Sequence, residues 1–418
     1  MFGLIKKLFK KKEGSVMPFV ALTFPVVLGM VGLGVDASYW MAQRIDLQKA
    51  ADAAVISAGW EMAQSTEIYM EDSALREAIR NGYDVSANGN LTLTELGTTT
   101  DGTIISLILA QDATTYFSRA IMSNPVRIQV EAQALVTDVD GLFCVLALEQ
   151  FDTATIDTFG SVNFSMPDCG IAVNSIHDEA LTISGNASVV VDNVRISGGY
   201  SIDGGSANFQ YGSLKTDQSR LEDPYEDLEV PAYSGCDQTN YSTAADTVFS
   251  PGVYCGGITV TGNNNITFAP GVYIIDGGSL NISGGGSLFG EGVTFILTGS
   301  GTDYAQVDIT GNKSVLLSAP LAGEEWEGIT FFQDRNAPVG DNTSNKISGT
   351  SDLVINGVAY FPSQAIQFSG DASLAGAASP CTKLIARAVS FGGNPSMGNN
   401  CDPYGVREIE IPKVRLIN

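Results

Sequence analysis

The strongest pattern lies near the start of the chain, where residues 14–35 (GSVMPFVALTFPVVLGMVGLGV) run for 22 positions without a charge. At about 1.5 Å per residue, a helix of that length spans the ~30 Å hydrocarbon core of a bilayer. Beyond it the pattern turns amphipathic but stays helical. Apolar residues recur at Trp40, Met41, Ile45, Leu47, Ala51, Ala54, Val55 and Ala58, mostly three or four apart, and no proline intervenes. One long helix is expected, with 14–35 as a transmembrane segment and 36–64 as its extension into water. Its small residues Gly29, Gly32, Gly34 and Ser38 would either let a second helix pack closely or merely loosen the first. Residues 65–140 read as a small α/β module. It has a helix near 71–81, strands at 103–111 (TIISLILAQ) and 126–136 (VRIQVEAQALV), and a helix between them at 113–123.

From 141 onward the period shortens to two and a motif repeats: an apolar residue, Ser or Thr, then Gly. It occurs as ISGNAS (183–188), ISGGYS (196–201), VTGNNN (260–265), ISGGGS (282–287), ITGNKS (309–314), ISGTSD (347–352) and FSGDAS (368–373). Interleaved with it, PGVY at 251–254 returns at 270–273. The glycine spacing is 22 from Gly262 to Gly284 and 21 from Gly349 to Gly370, which is a solenoid period. Short alternating runs put one face inward, and Gly, Asn and Ser supply the bends. A parallel β-helix over 141–418 satisfies both; a β-sandwich, also built of many short strands, is the competing architecture. Residues 213–247 (including SRLEDPYEDLEVP) and, more briefly, 336–345 break the repeat and are expected as surface loops. The alternating segment 407–418 is expected to close the stack as a terminal strand. The fold class is therefore mixed: a long N-terminal transmembrane helix, a small α/β module, then a parallel β-helix ectodomain.

Charge orients this arrangement. The formal net charge is −24 although Lys6, Lys7, Lys10, Lys11 and Lys12 crowd the tail at 1–13, so the remainder is more negative still. Such a surface repels phosphate backbones, and nucleic acid is excluded as a partner. Lysines before the span keep the N-terminus in the cytoplasm and send the rest across. A cleaved signal peptide is the alternative, but its apolar core is usually only about 7–15 residues. All six cysteines follow the span, which suits disulfides in an oxidising compartment. Pairing sequence neighbours closes loops one rung long and brings Cα atoms to ~5–6 Å, giving Cys144–Cys169, Cys236–Cys255 and Cys381–Cys401. With no CxxC and one histidine, no zinc site is expected.

β-Helices also carry polysaccharide-cleaving enzymes, which need two carboxylates facing one substrate. The chain has no Asp-Asp pair, no His-Gly and no Arg-Ile-Lys, and Arg195, Arg335 and Arg387 are scattered. His177 reads as a polar loop residue. The acidic run Glu222, Asp223, Glu226, Asp227 and Glu229 would be either a calcium site or a solvated face, the latter being the commoner fate of such runs. No cofactor is expected, and the chain reads as structural rather than enzymatic.

The segment KKEGSVMPFVALTFPVVLGMVGLGVDASYWMAQRIDLQKAADAAVISA resembles the N-terminal signature of TadG-like proteins of the Tad (tight adherence, Flp) pilus system. The matching features are Gly14-Ser15, Pro25, Gly34-Val35-Asp36 and the run from Leu47 to Ala54. CVLALEQ (144–150), CGIAVNS (169–175) and PGVYCGGITV (251–260) extend the likeness into the ectodomain. The resemblance implies a bacterial inner-membrane protein with a periplasmic ectodomain, serving as a scaffold in pilus assembly or anchoring beside TadE-like and TadF-like pseudopilins, with monomer and oligomer both left open. Prepilins place a glutamate five residues after the cleaved glycine; here that position is Phe19, which favours a retained anchor. A surface β-helix that binds or degrades carbohydrate is the alternative function.

Overall fold

In the computed structural model, the N-terminal pattern becomes one 48-residue helix, α1 (Val16–Ala63), with Pro25 inside it. The structure describes residues 16–63, 67–99, 102–120, 122, 124–141, 143–204, 206–349, 353–371, 381–395 and 397–417. The basic tail, Gly14-Ser15 and the ends of the repeats at 347–352 and 368–373 lie outside them in whole or part. The chain divides into two units, Met1–Val139 with Ile411–Asn418, and Asp140–Glu410.

In the first unit α1 changes character along its length. Phe19, Leu22, Val26, Val27 and Met30 are all more than half exposed, as a lipid-facing stretch would be, whereas Leu47, Ala50, Ala51, Ala54, Val55 and Ala58 are buried. The alanines let α1 settle closely on a second helix, α2 (Met70–Arg80), and on a sheet. That sheet has the order Asn90–Thr99, Gly102–Asp112, Arg127–Gly141, Ile409–Ile417. Two expectations fail here. Among the described residues of 113–123 the helical structure is a 3-10 turn, Ser118–Ala120, because the backbone N–H groups of 116–118 are given to a side chain described below. The C-terminal strand does not close the solenoid; it lies beside Arg127–Gly141, and Val414 reaches Gly59. Alternation marked it as a strand but carried no information about its partner.

The second unit is a parallel β-solenoid of about 10 turns over residues 143–392. The ladders between its rungs are parallel, where a sandwich would be antiparallel, and the short pair Val293–Ser300 with Asp303–Tyr304 is antiparallel. Apolar positions stack in register, as in Ile266 beside Leu288, Leu288 beside Val315, and Val315 beside Leu353. Aromatic rings add a column: Phe249 stacks on Phe268 at 4.7 Å, and Phe295 on Phe331 at 5.3 Å, with Tyr273 between at 5.4 Å from Phe295. The Ser-Gly repeat follows from the turns. Gly284 sits at φ +96°, and a Cβ there would come within 2.2 Å of the Gly262 carbonyl oxygen in the rung below.

The rungs do not follow the sequence. One run climbs from Gln238–Thr243 to Thr382–Asn394. The strand Phe143–Ala147 then pairs on Thr382–Asn394, and the other run continues upward to Asn208–Lys215. Residues 216–237 therefore return from the last rung to the first. The breaks in the repeat are resolved accordingly: 216–237 is a strap along the stack, and the second expected loop is largely a rung strand, Gly340–Gly349.

Candidate functional site

Three places gather polar or strained groups. The first is on α1, where Asp36 is fully buried. Its Oδ1 accepts the N–H of Tyr116 at 3.1 Å, and its Oδ2 accepts those of Phe117 at 2.9 Å and Ser118 at 2.5 Å. A buried carboxylate is tolerable when hydrogen bonds replace its water, and three donors do so here. Around it the returning segment 113–120 is fastened twice more. Thr114 and Gln43 exchange two hydrogen bonds of 3.2 and 3.3 Å, and the Tyr39 and Tyr116 rings meet edge-on at 5.3 Å.

The same contact shows what the small residues of α1 face. Phe117 lies against Gly32, where an added Cβ would meet the Phe117 Cβ at 2.9 Å. Gly29 and Gly34 have nothing within 4 Å of such a Cβ, and Ser38 donates its hydroxyl back to the Gly34 carbonyl at 2.8 Å. Within this chain, Gly32 serves a loop.

The second place is the seam between the two solenoid runs. Arg387 pairs with Glu149 at 2.8 Å and Asp152 at 2.6 Å, Ser390 donates to Asp157, and the Phe164 and Phe391 rings stack at 4.4 Å. Burial pushes the Asp157 carboxyl above its ordinary value, which the Ser390 bond partly offsets. Arg387 is thus a fastener between turns.

The third place is the strap. Asn174 exchanges two 2.8 Å hydrogen bonds with the Leu221 backbone. Farther on, Asp223 accepts from Arg335 at 3.0 Å and from the Tyr360 hydroxyl at 2.7 Å. Tyr225 is buried under the Arg407 guanidinium, 5.2 Å from its ring centre, and Asp227 pairs with the same arginine. Most of the acidic run faces solvent, Glu222, Glu226, Asp227 and Glu229 being exposed, while Asp223 and Asp227 pair with arginines that dock the strap. Among the described residues no group of three or more His, Cys, Asp or Glu is placed to hold a metal ion. Beside the strap lies a cavity of about 400 Å³ lined by Tyr225, Leu228, Glu229, Trp326, Glu327 and Arg407, among others. Trp326 holds φ +61°, a left-handed conformation unusual for a bulky residue, and Glu327 accepts the Gly323 N–H at 2.6 Å beneath it.

The remaining predicted residues fall as follows. Arg195 bonds Gln218 and Ser219 at the start of the strap. His177 accepts the Glu179 N–H on Nδ1 at 3.0 Å, which makes it part of a turn. The cysteines form Cys144–Cys169, Cys236–Cys255 and Cys381–Cys401, with Cα separations of 5.7, 5.7 and 4.7 Å. Asp36 was visible in the sequence as part of Gly34-Val35-Asp36 but had no assigned partner. Its donors lie about 80 residues away and are backbone groups, which leave no signature in side-chain identities.

No curated protein and no solved structure matches the chain. Residues 14–63 match the family model of the Flp pilus-assembly TadE/G-like proteins, Tad. The match coincides with α1 almost end to end and includes Asp36. Over these residues the chain is similar to the TadE/G-like Flp pilus-assembly family.

Proposed function

We infer that the protein is a membrane-anchored structural component of Tad/Flp pilus assembly or anchoring, with the solenoid as an extracytoplasmic scaffold. The observation that carries this reading is the division of labour along α1. Its first part is apolar and exposed, fit to cross a membrane, and its second part is built into the small sheet. A TadE/G-like helix thereby holds a solenoid whose backbone pairing makes it a rigid body. The lysines at 6–12 support a cytoplasmic N-terminus with the solenoid on the far side of the membrane, and the likeness to TadE/G-like proteins supports the inner membrane and the periplasm as the places of anchor and solenoid. TadE-like and TadF-like pseudopilins are the partners we assign, and no enzymatic step is assigned to the chain. The test is deletion of residues 141–410, which joins the sheet strands of the first unit through a short linker. Pilus display should fall sharply while the stub stays in the membrane. Undiminished display would refute the scaffold role. Alanine at His177 or Glu229 should leave display intact; loss of function in a folded variant would favour the carbohydrate-active alternative.

A further inference from the structure

We propose that the returning segment 114–120, with Met122 after it, is a membrane-interface foot, resting in the lipid headgroup region beside α1 and held there by Asp36. The proposal rests on the anchor reading above.

Depth is the first argument. Phe117 packs on Gly32, which lies inside the uncharged run 14–35 and four residues before Asp36, about 6 Å along a helix axis. A segment touching the helix at that level falls within the ~5–10 Å depth to which interfacial apolar faces sink. Side-chain character is the second. Tyr116 is 59%, Phe117 55% and Met122 45% exposed, and Tyr39 on α1 adjoins Tyr116. Exposed aromatics in water are a liability, whereas tyrosine and phenylalanine at the end of a membrane helix suit the interface. Arg119 is exposed on the same turn, where a guanidinium would meet lipid phosphate.

The third argument explains Asp36. A non-helical backbone that reaches the edge of the hydrocarbon must have its N–H groups satisfied, because acyl chains supply no acceptors. Tyr116, Phe117 and Ser118 are the residues that enter, and their N–H groups are the ones the Asp36 carboxylate accepts. Soluble packing alone would not require a carboxylate at this position, or leave the rings beside it uncovered. Lipid is the occupant that accounts for both.

The test uses the full chain, reconstituted in vesicles of phosphatidylethanolamine and phosphatidylglycerol. Single nitroxide labels are attached at Phe117→Cys, at Val27→Cys in the span, and at Val85→Cys, an exposed site in the same unit. Collision with oxygen and with a water-soluble nickel chelate reports depth. Val27 should read as hydrocarbon and Val85 as water, with Phe117 several-fold less accessible to nickel than Val85. In Asp36→Asn the Phe117 label should become several-fold more accessible while Val27 stays unchanged. A Phe117 label as open to nickel as Val85, with Val27 in hydrocarbon, overturns the foot alone. Val27 in water overturns the anchor reading instead. An Asp36→Asn protein with Phe117 unmoved removes Asp36 as the positioning residue.

Discussion

A single turn glycine shows how local chemistry sets the rung. Gly284 has φ +96°, and its missing side chain leaves room for the Gly262 carbonyl; Gly311 repeats the arrangement one rung on, with a Cβ 2.5 Å from the Gly284 oxygen. Replacing Gly284 by alanine combines left-handed strain with a backbone clash. The expected loss is about 1–3 kcal/mol, measured by denaturant unfolding of the solenoid signal. An alanine at Gly301, also at positive φ but with nothing within 4 Å, should cost only the strain. These residues were the most legible in the sequence, because a requirement for glycine leaves its mark at each repeat. Asp36 was the least legible, since its meaning depends on a segment whose backbone, rather than its side chains, does the bonding.

Among the elements, the strap carries the clearest consequences. Asp227 is held below its ordinary value of 3.8, first by the hydrogen bond from Arg407. A carboxyl lowered in this way stabilises the docked strap above its unfolded pKa, and the contribution fades as pH falls below about 3.8 toward the depressed folded value. Limited digestion with pepsin should therefore cut the strap faster at about pH 2 than at about pH 4. The variant Arg407→Gln should be cut readily at both. Cys236–Cys255 pins the end of the strap to the rung strand Gly252–Val260, closing a loop with a sequence separation of 19. Replacing both cysteines by alanine should cost about 3 kcal/mol and expose the strap first, as seen by hydrogen exchange. A rate of exchange unchanged from the parent would show that the arginine contacts suffice. Composition marked residues 213–247 as an interruption, but only the rung order explains its length: it must travel from one end of the stack to the other. Nothing in the strap's own residues encodes that distance.

For the whole molecule, topology is the first issue. A reporter active only outside the cytoplasm, fused after Asn418, should be active if the lysines orient α1 as expected. Inactivity there would reverse the assignment of compartments. The sequence gives the solenoid through its period, and the helix through its uncharged run. It does not give the return of the C-terminal strand to the first unit, because an alternating strand fits any open edge. The pairing of Phe143–Ala147 on Thr382–Asn394 was hidden for the same reason.

The two runs also determine how a pulling force would travel through the chain. Tension arriving ahead of Cys144 crosses its disulfide to Cys169, and tension from beyond Cys401 crosses back to Cys381. The polypeptide between each pair is slack while the bonds hold. Those slack loops contain most of strand Phe143–Ala147 and all of strand Thr382–Asn394, the two strands that make the seam. Among the described residues, the junction between rungs that are not consecutive in sequence is thus shielded from load, and traction passes to rungs joined by continuous chain. In a reducing environment the same pull would reach the seam strands directly and peel them apart in series.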